Sequence, residues 1–292
     1  MSIWEAIILG IVQGLTEFLP ISSTAHLLAV RKWLGHVHPE DAFTVVIQLG
    51  TLVAVFAYFR RDVWRLLRGV AGDLVARRIA SNDDSRQAWL IACGTIPAVI
   101  VGFLFQKQLK AWFFNLPSVA IVATLFALLM GLSEWWASRR VGLQPERGES
   151  QLNLVTALWI GLWQACALMP GASRSGTTIT GGRLAQLSRP AAARFSFLLS
   201  LPVILAAGCK ELFDEFRKLR LDLGPGEAPS LFASREDAAA LLVGTIVAAV
   251  VGYLSIAWLM RYLRQRSTYG FVAYRLLLGA ILGILLAAGL LK

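Results

Sequence analysis

Gln13-Gly14-Leu15-Thr16-Glu17-Phe18-Leu19-Pro20-Ile21-Ser22-Ser23-Thr24-Ala25-His26 sets a carboxylate, an imidazole and several hydroxyls inside a stretch otherwise apolar enough to lie in a bilayer. An ionisable group at membrane depth is costly, so it marks a functional site by default. The pattern returns about halfway along, at Pro170-Gly171-Ala172-Ser173-Arg174-Ser175-Gly176-Thr177-Thr178, with charge of the opposite sign. The rest of the chain reads as the scaffold that brings these two stretches face to face.

Working outward, the composition fixes the class. Of 292 residues, 57% are hydrophobic and only 16% are charged, which excludes an ordinary soluble chain. The net charge of +10 comes from basic residues clustered beside apolar runs. That placement fits the cytoplasmic loops of a membrane protein and not a phosphate-tracking stripe, so no nucleic-acid partner is expected. Cys93, Cys166 and Cys209 have no metal spacing or disulfide framework and read as small core residues. Met1-Ser2-Ile3-Trp4-Glu5 lacks the basic region of a cleaved signal, so the first apolar run is expected in the mature protein.

In chain order, Ile3 to Leu19 predicts a helix that Pro20 breaks. Ser22 or Ser23 then caps a second short helix to about Leu34. Two short helices meeting at a proline predict a re-entrant hairpin, tolerated only where protein or a wet cavity covers the freed backbone groups. Three spans follow, at Ala42 to Phe59, Trp89 to Phe105 and Ser118 to Trp136, with an Arg-rich loop from Arg60 to Arg86 between the first two. The second half repeats the plan. Leu154 to Met169 is broken by Pro170-Gly171, a short helix runs from near Ser173 to about Leu187, and spans follow at Ala191 to Ala207, Ala238 to Met260 and Phe271 to Leu291. Lys210 to Asp237 reads as a mixed-charge loop.

The repeat is visible in the letters. Gly94-Thr95-Ile96-Pro97-Ala98-Val99-Ile100-Val101-Gly102-Phe103-Leu104 matches the eleven residues from Gly244 to Leu254 at seven positions, at the offset of 150 that also relates Pro20 to Pro170. Each half then holds one re-entrant hairpin and three full spans. Three is odd, so the halves enter the membrane with opposite orientation, an inverted-topology repeat. The expected fold is an all-α integral membrane protein with a single membrane domain over 1–292, repeat 1 being about 1–140 and repeat 2 about 150–292. Placing the Arg60–Arg86 loop inside puts 16 loop Lys and Arg in the cytoplasm and ten outside. Both termini then face outward.

Each tip presents the N-terminus of a short helix carrying Ser and Thr, and such termini bind anions. Arg174 adds a planar fork suited to phosphate, and Gly171 and Gly176 allow close backbone approach. Glu17 lies one helical turn beyond Gln13 on the same face, and a divalent cation between carboxylate and phosphate would join the two tips. Ser23 and His26, three apart, are neighbours on one helical face and suit a nucleophile and its base. Elsewhere, Glu134 reads as interfacial, Glu5 as lacking a partner, His36 and His38 as solvated, and Arg275 as facing headgroups or a cavity. An alternative function on this architecture is a lipid-carrier flippase or anion transporter.

Gly14-Leu15-Thr16-Glu17-Phe18-Leu19-Pro20-Ile21-Ser22-Ser23-Thr24 with His26, and Pro170-Gly171-Ala172-Ser173-Arg174-Ser175-Gly176, resemble the two signature motifs of the bacterial undecaprenyl-pyrophosphate phosphatase family, tied to bacitracin resistance. The resemblance covers nearly the whole chain. It implies hydrolysis of the C55 polyprenyl pyrophosphate to the monophosphate carrier that feeds cell-wall glycan synthesis. It further implies a divalent cation (Mg²⁺ or Ca²⁺), a homodimer, and residence in the bacterial cytoplasmic (inner) membrane with the active site open to the outer face. Carried over by position, Glu17, Ser23, His26 and Arg174 are the catalytic set. Ser22, Thr24, Ser173, Ser175, Gly176 and Thr177 contact substrate, and Glu17 with Gln13 takes the metal. Two departures are Gln13, where many members carry a second glutamate, and Ala25, where they carry glycine. The nucleophile stays open among Ser23, His26 and water.

Overall fold

The computed structural model describes residues 1–35, 42–113, 115–141, 145–220 and 234–288. Eleven α-helices fall within them: α1 Ile3–Phe18, α2 Ser23–Trp33, α3 Ala42–Tyr58, α4 Arg60–Ala76, α5 Asp83–Phe113, α6 Leu116–Arg140, α7 Leu154–Cys166, α8 Arg174–Leu184, α9 Arg189–Arg220, α10 Arg235–Gln265 and α11 Tyr269–Ala287. Local sequence starts several of them. Ser2 and Glu5 form a reciprocal capping box on α1, and the side chains of Asn115, Asn153 and Ser234 accept from the first turns of α6, α7 and α10. Glu5 therefore has a partner, contrary to the sequence reading.

Five helices (α5, α6, α9, α10 and α11) are long and apolar enough to cross a membrane, and α3 with α4 forms a sixth candidate bent by 81°. The chain is a multi-pass membrane protein. Two expected loops are partly helical instead, and residues 221–233 of the second lie outside the described residues. The Arg-rich segment after Phe59 is α4, an amphipathic helix that buries Leu66 and Gly69 and exposes Arg60, Arg61, Trp64 and Leu67. Arg68 lies over the Trp64 ring at 4.8 Å, as suits a helix at an interface. Likewise α9 continues past Ala207 through Lys210 to Arg220, in a run of good helix formers where Lys210 pairs with Asp214 one turn on. His36 and His38 lie outside the described residues.

Helices α1 and α7 are held by long helices far from them in sequence, α10 and α5. Gly10 of α1 presses on α10 so closely that a Cβ would stand 2.6 Å from the Gly244 carbonyl oxygen. Gly161 of α7 does the same on α5, 2.1 Å from the Gly94 oxygen. At the break after α1, Phe18 packs edge-on to Phe197 of α9, with centroids 5.5 Å apart.

Glu134, expected at the interface, is instead fully buried. It accepts from Arg189 Nε at 2.7 Å and Thr268 Oγ1 at 3.0 Å, with Arg183 Nε 3.4 Å away. This cluster ties α6, α8, α9 and the start of α11 together. The span-end position of Glu134 was legible in the sequence, but its cationic partners come from elsewhere in the chain. Removing one partner of a buried ion pair typically costs about 3–5 kcal/mol. Glu134→Ala is therefore expected to lower the unfolding free energy in detergent by about 3 kcal/mol. Glu134→Gln, which keeps an acceptor for Arg189 and Thr268, should lose less, and denaturant titration of the two variants measures both.

Candidate active site

Both short hairpins turn on a serine in a backbone conformation that L-residues rarely adopt. Ser22 has φ 74° and ψ 95°, and Ser173 has φ 69° and ψ 111°. Each is the N-cap of its short helix: Ser22 Oγ accepts from Ala25 N at 3.4 Å, and Ser173 Oγ from Gly176 N at 3.2 Å. Such conformations cost on the order of 1–3 kcal/mol each and collect at functional sites. Gly171, at φ 96°, takes the other left-handed position of the second break.

The two tips meet. Ser175 Oγ donates to the Leu19 carbonyl at 3.1 Å, across 156 residues of sequence. Arg174 forms an ion pair with Glu17 Oε1, and the Glu17 side chain is only 5% exposed. The other oxygen, Oε2, accepts from Gln13 Nε2 at 2.9 Å and from Ser23 Oγ at 3.0 Å. Ser23 is the first residue of α2, and side chains there tilt back toward the helix N-terminus. Its hydroxyl is thus delivered to α1 and not along α2 to His26. Ser23 and His26, neighbours by spacing, thus have separate partners here: the Ser23 hydroxyl donates to Glu17.

Residues 6–281 match the family described as bacitracin resistance protein BacA. The chain belongs to the BacA family. It is similar, at 44% identity over 291 residues covering 99% of each chain, to the undecaprenyl-diphosphatase of Prosthecochloris aestuarii. With that of Chlorobium phaeobacteroides it shares 46% identity over 288 residues, 98% of each chain. With that of Chloroherpeton thalassium it shares 44% over 297 residues, all of this chain and 99% of the relative.

In this BacA-family chain, His26 is occupied on both nitrogens. Nδ1 lies 2.7 Å from the Ser22 carbonyl, an acceptor only, so it carries the proton and donates. Nε2 of the neutral ring then accepts from the Tyr274 hydroxyl at 2.6 Å, and the two rings lie nearly parallel, at 9°. Tyr274 was not singled out in the sequence, because a tyrosine in an apolar span reads as an interface residue. His26 and Tyr274 line an apolar groove of about 510 Å³ together with Val12, Leu15, Trp258 and Phe271.

The remaining expected residues fall around this centre. Thr24 is half-buried on the first turn of α2. Ser173 and Ser175 hydroxyls are 3.3 Å apart. Thr177 is buried and donates back to the Arg174 carbonyl at 3.0 Å, the ordinary habit of threonine in a helix. Gly176 lies in the first turn of α8, beside Arg275, which is fully buried and does not face lipid headgroups.

A divalent cation is tested by the oxygen donors available. Among the described residues no three His, Cys, Asp or Glu cluster. Gln13 directs its amide nitrogen to Glu17, which leaves Gln13 Oε1 buried without a partner next to a carboxylate. A flip would set oxygen against oxygen, which favours this orientation while no cation lies between them. An orphaned carbonyl oxygen beside a carboxylate fits a hard cation that completes its shell with phosphate oxygens and water.

Tyr274→Phe removes the donor to His26 Nε2 and unmasks that nitrogen. Carbethoxylation of His26 by diethylpyrocarbonate, followed by peptide mass spectrometry, is expected to be several-fold faster than in the wild type; an unchanged rate would show that Nε2 is not held by Tyr274.

Proposed function

We propose that this protein hydrolyses undecaprenyl pyrophosphate to undecaprenyl phosphate and inorganic phosphate, at a site made where the two broken-helix tips meet. The observation that carries the reading is the contact of Glu17 and Ser23 on one tip with Arg174 and Ser175 on the other. A hydroxyl held by a carboxylate, beside an arginine and two helix N-termini, is a nucleophile set against an anion cradle. The relatives' names and the apolar groove at His26 support a polyprenyl diphosphate over a soluble one.

The architecture is read as an inverted-topology repeat in which α1–α2 and α7–α8 are re-entrant hairpins entering from opposite faces. The paired Ser22 and Ser173 backbones and the reciprocal Gly10–Gly244 and Gly161–Gly94 approaches support this reading. With the Arg-rich face in the cytoplasm, hairpin α1–α2 enters from outside and the site opens to the outer face.

In the mechanism we favour, Arg174 exchanges Glu17 for the diphosphate and orients it with the Arg174 and Ser175 amides at the start of α8. Ser23 Oγ attacks the terminal phosphorus as its proton passes to Glu17 Oε2. The bond from that phosphorus to the bridging oxygen breaks, and undecaprenyl phosphate leaves. Water then hydrolyses the phosphoserine and releases phosphate. Glu17 and Gln13 would hold Mg²⁺ or Ca²⁺, which when bound would neutralise diphosphate charge. His26, fixed by Ser22 and Tyr274, borders the lipid end of the site.

Purified protein in detergent, where no gradient exists to drive transport, is expected to release phosphate from polyprenyl pyrophosphate. A chelator should stop release, and added Mg²⁺ or Ca²⁺ should restore it. Arg174→Ala and Glu17→Ala should each lower kcat by at least about a hundredfold while the protein stays in the membrane. Rapid quench should trap phosphate on Ser23. Full activity of either alanine variant removes the site assignment, and label found on His26 instead transfers the nucleophile's role.

A further inference from the structure

Arg275, in the second turn of α11, is 0% exposed. Its Nη2 donates to the Ala123 carbonyl of α6 at 3.1 Å and to the Gly171 and Ala172 carbonyls at 3.0 and 2.9 Å. The last two are carbonyls released by the second helix break. Its Nη1 lies against the first turn of α8: a Cβ on Gly176 would stand 2.7 Å from Nη1 and 3.1 Å from Ser173 Oγ. Neither Nη1 nor Nε has a hydrogen-bond partner among the described residues.

The contrast with the two arginines of α8 is informative. Half-buried Arg174 is matched by Glu17, and buried Arg183 by Glu134 and Glu146. Among the described residues no carboxylate pairs with Arg275, whose bonds go to carbonyls alone. A buried cation is costly unless something compensates it. Carbonyl dipoles supply part of that compensation, and an anion bound at the α8 N-terminus would supply more. The charge is seated beside the cap serine, with glycine at position 176 leaving no side chain between the guanidinium and the helix backbone.

We propose that Arg275 is a positioning residue of the phosphate site. It clasps the Gly171 and Ala172 carbonyls so that the Ser173–Gly176 turn keeps its shape, and its unmatched charge, acting through that turn, strengthens binding of a diphosphate anion. This rests on the diphosphatase reading, which placed the anion at the same tip. Arg174 is the group that touches substrate; Arg275 works from behind the helix.

The test uses full-length protein in detergent, with inorganic pyrophosphate as the binding probe and polyprenyl pyrophosphate for turnover. Arg275→Met removes both clasp and charge. Arg275→Gln removes the charge and keeps a polar N–H donor on a shorter side chain, so it gives a second neutral variant if the methionine variant does not fold. Arg275→Gln is expected to bind pyrophosphate roughly tenfold more weakly, the factor carried by a modest charge interaction, and to raise KM more than it lowers kcat. Arg275→Lys should recover most of that affinity. A merely structural role would lower the melting temperature of the glutamine variant and leave its pyrophosphate affinity at the wild-type value, which overturns the proposal. If the wild type releases no phosphate, the diphosphatase reading fails, and the pyrophosphate titration alone decides whether Arg275 serves an anion site.

Discussion

A chain that stops being helical inside a bilayer must find partners for the carbonyls and amides it releases, because the hydrocarbon offers none. This protein has two helix breaks, at Pro20 and at Pro170–Gly171, and much of its architecture answers them. Serine caps take up amides at the start of α2 and α8. Ser175 takes the Leu19 carbonyl, and Arg275 takes those of Gly171 and Ala172. Each break is thus satisfied partly by residues far from it in sequence, which forces the two tips together.

The same constraint explains where the charges lie. A buried carboxylate or guanidinium is costly unless something compensates it, and Glu17 and Arg174 compensate one another. Their pairing leaves a polar centre where the two tips meet. The glycine contacts serve this arrangement from behind. Gly10 and Gly161 let α1 and α7 lie directly on the backbones of α10 and α5, so the hairpins are braced by rigid, full-length helices. A site on braced elements keeps its geometry; one on free loops would not.

Where reading by pattern fell short, the reason was physical in each case. The Arg60–Arg86 stretch reads as a loop because its charges interrupt hydropathy, yet it is amphipathic and α4 forms at the bend after α3. Ser23 and His26 share a face by spacing, but Ser23 sits at the first position of α2, from which its hydroxyl reaches back to Glu17. Tyr274 and Arg275, both on α11, carry no motif. An aromatic and a basic residue near a span end look like interface anchors until the fold buries one and stacks the other on His26.

The letters alone determined the membrane class, the two broken helices and the acidic and basic tips, because hydropathy, proline and serine act locally and leave local traces. Tertiary structure decided which groups those tips present to one another: Glu17 to Arg174 and Ser23, His26 to Tyr274, and Arg275 to the carbonyls of the second break. Those pairings join residues as many as 248 positions apart, across helices whose relative rotation is set by packing. No local pattern encodes that rotation.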